Sequence, residues 1–134
     1  DIQGCVTHLR ESSKRCGVTG FCMGGALTLL SALHVKGVDA GGCFYGMPPK
    51  SVFDATKLSI PLILHFANAD DWCTPELVDG LEADLKRSKS SFELYRYDAE
   101  HAFMNEARPE VYAPENASVA WERTLAFFNR TLSA

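Results

Sequence analysis

The segment Gly20-Phe21-Cys22-Met23-Gly24-Gly25 leaves this chain few folds to choose from. Cys16 to Phe21 before it reads as a short strand. Ala26, Leu29, Leu30 and Leu33 after it mark a helix from Gly24 to about Lys36, with Gly37 placed to cap it. Glycines two residues to either side of a cysteine, at a strand-to-helix junction, have the G-x-nucleophile-x-G spacing. The central residue of such a turn is strained, so its neighbours must be small. The turn lifts the sulfur above the sheet at a helix N-terminus, where negative charge is favoured. The Met23 N–H then points to where an oxyanion would form. A glycine-rich turn with an inert buried thiol is the blander reading of the pentapeptide. The strand before and helix after favour the functional one.

The rest of the chain alternates in the same way. Ile2, Cys5, Val6 and Leu9 recur at helical spacing over residues 1 to about 12. Asp39 to Tyr45 is a strand of small residues, and residues 46 to 59 read as a loop. Ile60 to Ala67 is a near-continuous apolar run, as expected of a strand buried on both faces. Thr74-Pro75-Glu76 opens a helix with a Thr cap and Pro in its first turn, and Leu77, Val78, Leu81 and Leu85 form its expected buried stripe. Ser91 to Tyr97 alternates as a strand. A long loop leads to a last helix over about Glu115 to Leu132, with Trp121, Leu125, Phe128 and Leu132 expected on its inner face. Strands alternating with helices predict an α/β fold with a mostly parallel sheet of about four strands. Such sheets bind ligands at the carboxyl ends of their strands.

Composition narrows the partners. The 134 residues suit one domain, residues 1–134, and 46% hydrophobic against 22% charged is an ordinary globular balance. A net charge of −4 argues against nucleic acid or an anionic membrane surface, because phosphate binding needs a basic field. The apolar runs, such as Leu62–Phe66, are too short to span a membrane. Asp1-Ile2-Gln3 lacks the layout of a secretory signal and an initiator Met, as in a processed chain or one cut from something longer. Five cysteines, Cys5, Cys16, Cys22, Cys43 and Cys73, form no C-x-x-C pair, and no metal-ligand cluster arises with His8, His34, His65 and His101. A reducing, cytoplasmic setting without cofactor or metal is expected. The sequons at Asn116 and Asn129 carry little weight without a secretory signal.

Two further strand ends carry polar chemistry. Ala67-Asn68-Ala69-Asp70-Asp71-Trp72 puts an acid where a buried strand runs out, and only one of the adjacent aspartates can face a shared partner. Asp98-Ala99-Glu100-His101-Ala102-Phe103 puts a histidine after the last strand. A lone loop histidine is usually a surface residue, but here the order Cys, Asp, His follows successive strands, as in α/β-hydrolases. His8 and His34 fall on helices, and His65 inside a strand reads as a satisfied core residue. Cys43 is explained by packing, and Cys73 has no elbow.

These segments, with Phe44-Tyr45-Gly46, Asp70-Asp71-Trp72-Cys73-Thr74-Pro75-Glu76 and Ala120 to Phe128, resemble the dienelactone hydrolase family of α/β-hydrolases over essentially the whole chain. The resemblance implies a Cys-His-Asp triad with Cys22 as nucleophile and His101 as base. The acid is Asp70 when Trp72 and Glu76 are aligned with the family's acid loop, with Asp71 the fallback. Where the family usually has Val-Pro after the loop's aromatic residue, this chain has Cys73-Thr74. Family members also carry an N-terminal half with further strands of the sheet, a helix, an oxyanion-hole N–H, a Glu near the Cys and basic residues for a substrate carboxylate. This chain resembles only their C-terminal part, a truncated α/β-hydrolase fold.

The expected function is hydrolysis of small carboxylic esters or lactones through a thioester on Cys22, with Met23 N–H at the oxyanion and Trp72 and Phe103 as pocket walls. The same groups acting on activated phosphate triesters, or an inactive remnant serving as an interaction domain, are the alternatives. The strand ahead of Cys22 becomes a sheet edge, so a homodimer or higher oligomer covering it is expected, with a separate N-terminal chain or fragment completing the fold as the alternative.

Overall fold

A computed structural model describes residues 1–133. Four strands form one sheet: β1 (Gly17–Phe21), β2 (Ala40–Phe44), β3 (Leu62–Ala69) and β4 (Phe92–Glu100). They lie in sequence order and every pair is parallel, so each connection must cross back over the sheet. The crossovers are α2 (Met23–His34), two short 3-10 turns within residues 50–57, and α3 (Pro75–Arg87). The flanking helices α1 (Ile2–Arg10) and α4 (Pro114–Leu132) complete the α/β architecture expected from the sequence. Among the described residues no helix is long and apolar enough to cross a membrane.

Side chains alternate across the sheet. One face carries Cys43, Leu62, Leu64 and Phe66 against Leu29 of α2 and Val78, Leu81 and Leu85 of α3. The other carries Ala40 and Ile63 against Phe127 of α4, and Phe44, Ala67 and Tyr97 against Ala120. Small residues in β1 and β2 let α4 approach: a Cβ on Gly17 would stand 2.8 Å from the Phe128 ring, and one on Gly42 3.2 Å from it. Asp1 caps α1, which packs Val6 against Cys16 and Val38 and ties down through Gln3, whose side-chain amide exchanges hydrogen bonds with the Lys36 backbone.

Three expectations change. The inner face of α4 is Ala117, Ala120, Thr124 and Phe127, whereas Trp121 and Leu125 are exposed and Phe128 and Leu132 are half-buried. Small and polar residues face inward because α4 sits close to the sheet and must meet a buried histidine. Leu77 lies outside the α3 core stripe and is 53% exposed. Gly37 does not cap α2 directly: the helix ends at His34, Val35 is extended, and Gly37 turns the chain with φ 92°.

His65 is fully buried in β3, its ring 4.5 Å from that of Phe44 and 5.8 Å from that of Tyr95. Thr124 Oγ1 donates to the Ala120 carbonyl at 2.8 Å, so it accepts from His65 Nε2–H, also at 2.8 Å. Nδ1 then accepts the Tyr97 hydroxyl proton at 2.8 Å, while Arg123 donates to that hydroxyl oxygen at 3.2 Å. The network is complete only with neutral imidazole. Burial, reinforced by the charge of Arg123, pushes His65 down from 6.5 to about 3. Between those values the unfolded chain binds a proton that the folded one does not, so stability falls as pH drops from about 6.5 toward 3. Denaturant titrations at stepped pH should show a slope of up to ~1.4 kcal/mol per pH unit from this group. His65→Gln should lose that share of the slope, and an unchanged slope would contradict the assignment.

Candidate active site

The carboxyl ends of the strands deliver the polar residues to one edge of the sheet. Cys22 follows β1, Tyr45 follows β2, Asp70 follows β3 and His101 follows β4. A register shift beyond Ala67 inserts one extra residue on β4, which sets where His101 emerges. His101 Nδ1 lies 2.6 Å from Asp70 Oδ2, and Nε2 lies 3.2 Å from Cys22 Sγ. A carboxylate on Nδ1 keeps the proton there, so the Nε2 lone pair faces the thiol. The Asp70 side chain is fully buried, and its other oxygen accepts from the Trp72 and Cys73 N–H groups at 2.7 and 3.0 Å. The acid is thereby oriented by its own turn. Asp71 is exposed, so Asp70 and not the fallback faces His101.

Cys22 has φ 57° and ψ −120°, a conformation that non-glycine residues rarely adopt. Its N–H donates to the Phe44 carbonyl at 3.0 Å, and its carbonyl accepts from Gly25 and Ala26, which starts α2. Met23 supplies the first N–H of that helix, a donor without an intrahelical partner. The glycine requirement differs from the expected symmetry. A Cβ on Gly20 would stand 2.2 Å from the Gly24 carbonyl oxygen, but one on Gly24 would meet no atom within 4 Å. The second tight position is Gly46, where a Cβ would stand 2.0 Å from the Cys22 carbonyl, with Gly25 also close against Phe44.

Residues 1–132 match the dienelactone hydrolase family. The chain belongs to that family. It is 34% identical to protein usf of Aquifex pyrophilus over 98% of this chain and 60% of that one. It is 32% identical to the carboxymethylenebutenolidase of Rhodococcus opacus over 99% of this chain and 57% of that one. A solved dienelactone hydrolase-like structure from Klebsiella pneumoniae superposes with a TM-score of 0.86 at 27% identity, covering 96% of this chain and 58% of the other. The chain thus spans about 60% of the length of these relatives.

In this dienelactone hydrolase-family chain a cavity of about 520 Å³ opens from Cys22 and His101 toward α3. Trp72, 75% exposed, stands on its rim with its ring 6.0 Å from that of His101. Phe103 is not on the wall, contrary to expectation. It is fully buried behind Tyr45 and Tyr97, where it supports the His101 loop from below. Tyr45 takes a place on the wall that sequence reading passed over. Its ring stands edge-on to His101 at 5.1 Å. Burial pushes the Tyr45 phenol up to about 12, opposed by a hydrogen bond with the Met104 backbone and reinforced by Cys22, so it stays neutral. The sequence signals for it are its place directly after β2 and its part in the Phe44-Tyr45-Gly46 segment of the family resemblance. Cys73, beside Asp70, and Cys43 are both pushed up to about 12, chiefly by burial, which keeps them as thiols.

The elbow geometry separates its glycines experimentally. Gly20→Ala should cost about 1–3 kcal/mol or more in denaturant unfolding, because backbone must move. Gly24→Ala should be neutral or stabilising by up to ~1 kcal/mol as a helix substitution. Equal losses at both positions would contradict the structure.

Proposed function

We propose that this chain hydrolyses small carboxylic esters or lactones by a Cys22–His101–Asp70 mechanism with a thioester intermediate. The observation that carries the reading is the continuous hydrogen-bonded line from Asp70 through His101 to Cys22, at 2.6 and 3.2 Å, opening onto a cavity. His101 Nε2 takes the thiol proton as Sγ attacks the carbonyl carbon. The tetrahedral oxyanion lies against the Met23 N–H at the start of α2. On collapse the C–O bond breaks and His101 returns the proton to the leaving alkoxide. His101 then deprotonates a water that attacks the thioester, the C–S bond breaks, and the thiol is restored. Asp70 holds the imidazole tautomer and stabilises the imidazolium. The name carboxymethylenebutenolidase on the Rhodococcus relative supports an ester-type bond as the target.

The test is turnover of 4-nitrophenyl acetate, with mass spectrometry of Cys22 under a slowly hydrolysed ester. Cys22→Ala and His101→Ala should lower kcat/KM by about 10³-fold or more. Asp70→Asn should approach a ~10⁴-fold loss through the wrong tautomer, while Asp71→Asn stays near wild type. Wild-type rates in Cys22→Ala would overturn the Cys22 mechanism, and absence of turnover with a Cys22 that no ester acylates would return the chain to the interaction-domain alternative.

A second copy of the chain at the β1 edge, in a reducing cytoplasmic setting, belongs to the same proposal. β1 ends the sheet with Thr19 and Phe21 exposed, and Met23 and Leu27 continue the exposed apolar strip onto α2. An open edge of this kind pairs readily with another strand. The five free thiols suit a reducing compartment. Light scattering should give at least a dimer at micromolar concentration, and a stable monomer would overturn this part.

A further inference from the structure

We propose that Gly80 holds open an acyl-binding groove along α3, which selects esters whose acyl part is an uncharged apolar chain or ring. The inference rests on the ester-hydrolase reading and specifies its substrate. Glu76, Leu77, Gly80, Leu81 and Asp84 all line the cavity that begins at Cys22. Their spacing puts them on one face of α3. This explains why Leu77 is 53% exposed although the helical pattern favours burying it: it belongs to the groove wall. Across the groove stand Met47, Pro48 and Phe53, so the walls are chiefly apolar. From Glu76 to Asp84 the helix rises about 12 Å, enough for a chain of several carbons.

Gly80 is the anomaly on that face. A glycine inside an exposed helix is unfavourable relative to alanine, so it needs a reason. Packing supplies none, because a Cβ there would meet no atom within 4 Å. What lies beside it is the cavity. A side chain at position 80 would therefore meet no protein atom and would add bulk to the cavity wall.

The chemistry of the site assigns the groove to the acyl part. His101 must protonate the leaving alkoxide, so the alcohol departs on the His101 side. A separate depression of about 230 Å³, lined by Asp71, Glu100, His101 and Arg108, lies there. The acyl part stays on Cys22, and the larger cavity onto which Cys22 opens runs along α3, which begins just after the Asp70 turn. Polar groups at the far end argue against an anionic tail. Lys50 is held by Asp84 at 3.5 Å, and Glu76 and Asp84 place two carboxylates along the same wall.

The experiment compares kcat/KM for 4-nitrophenyl octanoate and acetate in wild type, Gly80→Ala and Gly80→Leu. The octanoate-to-acetate ratio should fall about tenfold or more in Gly80→Leu. It should fall less in Gly80→Ala, whose melting temperature should rise. Lengthening the alcohol in a series of alkyl acetates should leave the variants' selectivity unchanged. A parallel readout needs no turnover: site-resolved labelling of Cys22 by N-hexyl iodoacetamide relative to iodoacetamide, with exposed Cys5 as the internal reference. The hexyl preference at Cys22 over Cys5 should shrink in Gly80→Leu. Failure of all ester turnover with that labelling preference intact would remove the hydrolase reading and keep the apolar groove. Unchanged ratios in both assays, or sensitivity of the alcohol series alone, would overturn the proposal. A melting temperature lowered by Gly80→Ala with ratios unchanged would assign Gly80 to packing and overturn it too.

Discussion

The close passage of two backbones at the Cys22 carbonyl is the constraint on which the site depends. The turn after β2 runs so near that a Cβ on Gly46 would stand 2.0 Å from that oxygen, and Gly20 is equally confined against Gly24. Cys22 itself holds a backbone conformation that costs about 1–3 kcal/mol. That cost is sustained because the neighbouring strand ends are stitched together: Cys22 N–H donates to Phe44, and Tyr45 N–H donates to His65. The sulfur is aimed by the sheet and not by its own rotamer alone. The same stitching places Tyr45, with φ 36°, against the His101 ring.

The second support lies under the site. His65, Tyr97, Thr124 and Arg123 form a closed polar network between the sheet and α4. Tyr97 packs on Phe103, and Phe103 on Tyr45, so the network reaches the loop that carries His101. Buried polar networks are costly when incomplete and rigid when satisfied. Here every buried side-chain nitrogen and oxygen among the described residues has a hydrogen-bond partner. The loop bearing His101 thus rests on a fully satisfied layer, which limits how far His101 can stray from Cys22.

The elbow turn, the alternation of strands and helices, and Cys22, Asp70 and His101 as candidates were legible in the sequence because each is a local pattern. A glycine-flanked cysteine, an apolar run and a capped helix each state their own conformation. The parallel sheet followed from alternation, since parallel neighbours need crossover helices. The inner face of α4 was not legible. Trp121 and Leu125 of its hydrophobic stripe are outside and Phe128 and Leu132 only half-buried, because the sheet demands small residues for close approach and a hydroxyl at Thr124 for His65. Hydropathy periodicity ranks residues by their own polarity and carries no information about a partner on another element.

The sequence by itself therefore determined the fold class, the nucleophile turn and the candidates Cys22, His101 and a carboxylate from Asp70-Asp71. Tertiary structure decided which carboxylate faces the histidine, through the two N–H groups that seize one oxygen of Asp70 and leave the other free. It also decided that Phe103 supports the site while Tyr45 lines it, and that Leu77 and Gly80 face a groove. The physical reason is the same in each case. Secondary structure is written in spacing along the chain, whereas the direction of a side chain at a strand end, and the space beside a helix, are set by what the other strands and helices bring near it.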